Sequence, residues 1–118
     1  RLTVRLACLD APELAQQPYG ERARAHLRRL VPQGAVLRVQ PLDTDRYGRT
    51  VAEVIGPRNL GLAMVEDGWA FVHPRHGRAC DLAAYSGAER QASRRRLGLW
   101  REAGGIERPW QFRRTHRR

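Results

Sequence analysis

Only three segments of this chain alternate in the manner of β-strands, and that number limits what it can fold into. They are residues 2–9, AVLRVQPL at 35–42 and RTVAEVIG at 49–56, the last two separated by the tight polar turn DTDRYGR. Three strands do not close a barrel, and an open three-stranded sheet leaves two edges. The sheet therefore looks incomplete at its N-terminal side.

Helical patterns fill the rest. YGERARAHLRRLV, from Tyr19, places Leu27, Leu30 and Val31 on one face and stops at Pro32 and Gly34. GPRN is another turn, and Asn59 is the expected N-cap of LGLAMVEDG, a short apolar helix ending at Gly68. WAFV continues as an extended piece. DLAAYSGAERQASRRRL reads as a long helix with Leu82, Tyr85, Ala92 and Leu99 near one face, and Gly98 stands where a helix end favours a left-handed residue. Trp100 is expected to dock on the core, as are Trp69 and Phe71. From Ala103, AGGIERPWQFRRTHRR combines turn residues with five arginines and reads as a basic tail, with Trp110 the freest aromatic. The 118 residues thus suggest one domain over 1–102 and a tail over 103–118, without internal repeats.

The charge restricts the partners. There are 22 basic residues against 12 acidic ones, a net +10, and every basic residue is arginine. Lysine chemistry is therefore excluded, and each basic contact is a planar guanidinium suited to bidentate pairing with phosphate or carboxylate. A GC-rich genome would give the same arginine bias. A pI near 11.4 favours a polyanionic partner, nucleic acid first and an acidic membrane second. No apolar run approaches transmembrane length, and the opening RLTVRL is already strand-patterned, so no signal peptide is visible. Of the two cysteines, Cys8 lies in an apolar strand, where a buried free thiol is the commoner state; a Cys8–Cys80 bridge is the alternative.

Against this basic background, LACLDAPE runs from the first strand into a loop that opens with two carboxylates. Arg5 lies on that strand, Asp10 at its end and Glu13 in the following loop, while Arg49 opens a later strand straight after a tight turn. Together they would form a mouth with hard oxygen ligands for a divalent cation, a second carboxylate as base, and two guanidinium forks for phosphate. Each element alone is weak, since Asp-x-x-Glu before a helix is commonly a loop or cap and a strand arginine is commonly solvated.

VRLACLDAPE, YGERA, DRYGRTVAEV, NLGLAMVEDGWAFV and RRRLGLW, in this order and spacing, resemble the staphylococcal nuclease (thermonuclease) family from about Val4 to Trp100. The resemblance implies an OB-fold, a five-stranded Greek-key barrel with three helices. It implies calcium-dependent hydrolysis of DNA and RNA phosphodiesters with low sequence specificity. Asp10 matches the family's calcium-ligating aspartate, and Ala11 stands where a backbone carbonyl reaches the metal. Glu13 matches the glutamate usually assigned as general base, Arg5 and Arg49 the phosphate-binding arginines, and Tyr47 the tyrosine touching substrate phosphate. Asp45 and Arg46 stand where the family has an aspartate and a basic residue.

Two departures stand out. The family begins with a hairpin whose Asp-Gly-Asp-Thr-like stretch gives calcium a second carboxylate; this chain starts after it, and the expectation is that the hairpin lies upstream of Arg1. HPRHGR replaces the family's base-stacking tyrosines, so His73 and His76 are candidates for stacking on bases or touching phosphate, a metal pair or a plain polar loop being the alternatives. A monomer without a membrane partner is expected, secreted or periplasmic by analogy with the family. The competing reading is a non-catalytic OB module that holds nucleic acid without cutting it. A purely structural domain would explain neither the charge nor the loop carboxylates.

Overall fold

The computed structural model describes residues 3–75 and 79–116. The elements are β1 (Val4–Leu6), β2 (Leu9–Asp10), α1 (Tyr19–Leu30), β3 (Arg38–Thr44), β4 (Thr50–Ile55), α2 (Leu60–Glu66), β5 (Phe71–Val72), α3 (Leu82–Arg94), a 3₁₀ turn (Gly98–Arg101) and α4 (Pro109–Thr115). This is a small α+β arrangement consistent with an OB-like fold. Among the described residues its strands make two sheets, β1-β4-β3 and β2-β5, which do not close into a barrel.

The run over 2–9 is two strands rather than one, because the chain turns at Cys8, whose φ is 75°. Before the turn, β1 pairs in parallel with β4, Arg5 opposite Val51. After it, β2 pairs antiparallel with β5, which supplies the end of the extended WAFV piece, Asp10 opposite Phe71. Cys8 is not a free thiol: it is bridged to Cys80 with a Cα–Cα distance of 6.3 Å, across a sequence separation of 72. That separation is why the local pattern, which favours a buried free thiol, does not reveal the bridge.

β4 is the central strand and sends Ala52 and Val54 into the core at period two. β3 lies at an edge of the sheet, a position that tolerates Pro41. Its register with β4 shifts between Pro41 and Asp43, and it runs 38–44 rather than 35–42.

Asn59 caps α2 as expected, its side chain accepting the Leu62 N–H at 3.2 Å. The same amide donates to Glu53 at 3.0 Å, and the buried Tyr85 hydroxyl donates to Glu53 at 2.7 Å, so β4, α2 and α3 share one polar knot. Burial and the Glu53 acceptor push the Tyr85 hydroxyl pKa well above its ordinary value. Asp81 caps α3. Tyr85 and Ala92 are buried, but Leu82, expected on the same face, is 48% exposed in the first turn.

The left-handed residue that closes α3 is Arg96 (φ 54°); Gly98, also left-handed (φ 52°), lies two residues further on. Arg96 N–H donates to Ser93 O and Leu97 N–H to Ala92 O, a Schellman closure. Gly98 instead permits a backbone crossing: a Cβ there would fall 2.4 Å from the Gly68 carbonyl oxygen, to which Leu99 N–H donates at 2.8 Å. That crossing seats Leu99 and Trp100 beside Phe71, Ala92 and Ile106.

The segment read as a basic tail is not loose over its whole length. Pro109 opens α4 and is fully buried. Trp110, far from being free, lies edge-on to Phe71 with centroids 6.3 Å apart and 5.3 Å from the His73 ring. Arg108 lays its guanidinium over Phe71 at 4.2 Å.

Candidate active site

The turn at Cys8 aims the end of β2 at the mouth of an open cleft of about 1390 Å³. Arg5, Asp10, Glu13, Arg46, Tyr47 and Arg49 all line it. Ala11 follows Asp10 but is not among the lining residues. Among the described residues the Arg5 guanidinium has no hydrogen-bond partner, which leaves its donors for an anion.

The loop carrying Glu13 is fixed from two sides. Gln16, 8% exposed, accepts the Glu13 N–H at 2.9 Å and donates to the Glu107 carbonyl at 2.8 Å. On the other side the loop lies against the start of α1, where a Cβ on Gly20 would fall 2.1 Å from the Glu13 carbonyl oxygen. Only glycine permits that approach.

Across the cleft, Asp45 organises the turn between β3 and β4. One of its oxygens accepts the N–H groups of Tyr47 and Arg49, both at 2.9 Å; the other accepts Arg49 Nε at 2.7 Å. Desolvation works to raise the Asp45 pKa, but these hydrogen bonds outweigh it and hold the group below the usual carboxylate range. Arg49 is thereby oriented with its terminal nitrogens still available. Tyr47 is 71% exposed, with the Arg46 and Arg49 guanidinium carbons 5.1 and 5.5 Å from its ring centroid.

The third wall comes from the C-terminal segment. Trp110, Arg113 and Arg114 line the cleft together with His73 and Arg75. Arg113 pairs with both carboxylates: Nη2 donates to Asp10 at 2.5 Å and Nη1 to Glu13 at 3.0 Å. The hydrogen bond to Asp10 is the main cause of a further rise in its already high pKa. His76 lies outside the described residues.

The model of the staphylococcal nuclease homologue family matches residues 3–102. The chain belongs to that family. It is 42% identical over 94% of its length to Protein ParB of Escherichia coli, spanning 66% of that protein. It is 37% identical over 97% of its length to Micrococcal nuclease of Shigella flexneri, spanning 69% of it. To Staphylococcal-like nuclease CAN1 of Arabidopsis thaliana it is 30% identical over 99% of its length, spanning 35% of that protein.

For a staphylococcal nuclease homologue the natural question is where a calcium ion would be held. The donor chemistry fits in kind: Asp10 offers hard carboxylate oxygens, with the second carboxylate of Glu13 beside it, and both pair with the Arg113 guanidinium. Among the described residues no third His, Cys, Asp or Glu side chain joins them.

Arg113, Arg114 and Gln16 are among the cleft or loop-supporting residues that sequence reasoning does not single out. The tail's arginine content hinted at a role for it; Gln16 carried no signal, its partners being three residues away and 91 residues away.

Proposed function

We propose that this staphylococcal nuclease homologue is a calcium-dependent nuclease that hydrolyses DNA and RNA phosphodiesters with low sequence specificity. The observation that carries the reading is one open cleft holding Arg5 and Arg49 opposite Asp10 and Glu13. Asp10 and the Ala11 carbonyl would hold calcium, which when bound supplies positive charge against the phosphate oxygens. Arg5 and Arg49 bind the phosphate through guanidinium forks and offset charge that builds on its oxygens during attack. Glu13, held by Gln16 and the Gly20 contact, accepts the proton of the attacking water. Tyr47 and Arg46 flank the phosphate path on the β3–β4 turn. Contacts of this kind are to backbone rather than base edges, which supports low sequence specificity. The disulfide supports an oxidising compartment, periplasmic or extracellular.

The test is cleavage of single-stranded DNA and RNA with calcium and with a chelator, by wild type and Glu13→Gln. Cleavage should require calcium, and Glu13→Gln should bind DNA normally while losing about 10²–10⁴ in turnover. Binding without cleavage by the wild type would leave the non-catalytic OB module in its place.

A further inference from the structure

We infer that Arg113 is a built-in cation that holds the Asp10–Glu13 pair in the calcium-free protein and must leave before calcium can bind. The inference rests on the calcium reading above.

Arg113 makes a fork across both carboxylates: Nη2 donates to Asp10 at 2.5 Å, and Nη1 donates to Glu13 at 3.0 Å and to the other Asp10 oxygen at 3.4 Å. A guanidinium in this place occupies both oxygens of Asp10, which a divalent cation would need, so the two cannot be ligated together. The contact is not a chance meeting of surface side chains. Its helix is pinned by the fully buried Pro109 and by Trp110 against Phe71. The segment leading into that helix is tied to the Glu13 loop by Gln16, through the Glu107 carbonyl. The C-terminal segment therefore delivers a positive charge to the carboxylates from a position about 100 residues away in sequence, beyond the stretch matched by the family model. With its own side chain 41% exposed, Arg113 has open solvent into which to swing.

A latch that is closed about nine-tenths of the time lowers apparent calcium affinity about tenfold. Calcium binding by calorimetry should therefore be about tenfold tighter in Arg113→Gln than in wild type. Arg113→Lys, which keeps the charge but loses the fork, should also bind more tightly. Arg114→Gln removes the same charge from the same helix and should change affinity by no more than about twofold, as expected for a screened charge.

Thermal unfolding gives a second readout. Arg113→Gln should melt below wild type in a chelator and level with it in saturating calcium, because the lost latch and the tighter binding are two sides of one cycle. A melting point lowered equally in both conditions, or equal affinity gains in Arg113→Gln and Arg114→Gln, would overturn the latch. Calcium binding unmoved by Arg113→Gln would overturn it while leaving the calcium reading intact. No calcium binding in any variant would remove both.

Discussion

Arg49 illustrates how one residue acquires a role from its neighbours. Its Nε is spent on Asp45, which also accepts its backbone N–H, so the side chain leaves the turn in a fixed direction. Lysine has no second nitrogen to divide between Asp45 and a phosphate. Arg49→Lys should therefore be nearly as damaging to turnover as Arg49→Ala, each losing about 10²-fold or more by analogy with removal of one transition-state donor. Single-turnover cleavage by the two folded variants measures this, and a lysine variant near wild-type turnover would reduce Arg49 to bulk charge. At this scale much was legible. The residue pattern groups Arg5, Asp10, Glu13 and Arg49, the family resemblance adds Arg46 and Tyr47, and all six line one cleft. Arg113 was not, because its partners lie 103 and 100 residues away and nothing local marks it among the other tail arginines.

Among the elements, helices were easier to read than strands. α1, α2 and α3 carry their signals locally: apolar spacing, the Asn59 cap, and stops at Pro32 and Gly68. Strand limits depend on partners, so β3 shifts to follow β4, and the first run divides where Cys8 turns from one sheet to the other. The junction between the Glu13 loop and α1 makes a test at this scale. Gly20→Ala places a Cβ on the Glu13 carbonyl, and backbone cannot yield as a flexible side chain would. We expect a stability loss of about 1–3 kcal/mol, in line with overpacking elsewhere. Turnover should fall further than the residual folded fraction explains, since the loop that must move carries Glu13. Urea unfolding and cleavage rates on the same preparation separate the two effects; a variant with wild-type values in both would mean the contact relaxes without consequence.

For the whole molecule, the Cys8–Cys80 bridge links the turn between the two sheets to the start of α3. Closing so long a loop restricts the unfolded chain, and loss of such a bridge typically costs about 2–4 kcal/mol. Denaturant unfolding of the oxidised protein against Cys80→Ala should show that difference, with little change in slope beyond that expected from a freer unfolded state. An equal midpoint would mean that packing around Cys8 alone holds the turn.

The sequence by itself determined the family resemblance, the three main helices, the central hairpin of β3 and β4, and the residues of the cleft's first two walls. These are properties of short segments, where spacing, caps and turn residues act within a few positions of one another. Tertiary structure alone decided the disulfide, the division of the first strand, the hold of Gln16 on the Glu13 loop, and the placement of α4 with Arg113 over the carboxylates. Each of these depends on partners far apart in the chain, Gln16 through its bond to the Glu107 carbonyl and the first strand through its pairing with β4 and β5. Their energies come from contacts that exist only once the core has brought the ends together, and so leave no periodic trace in the sequence.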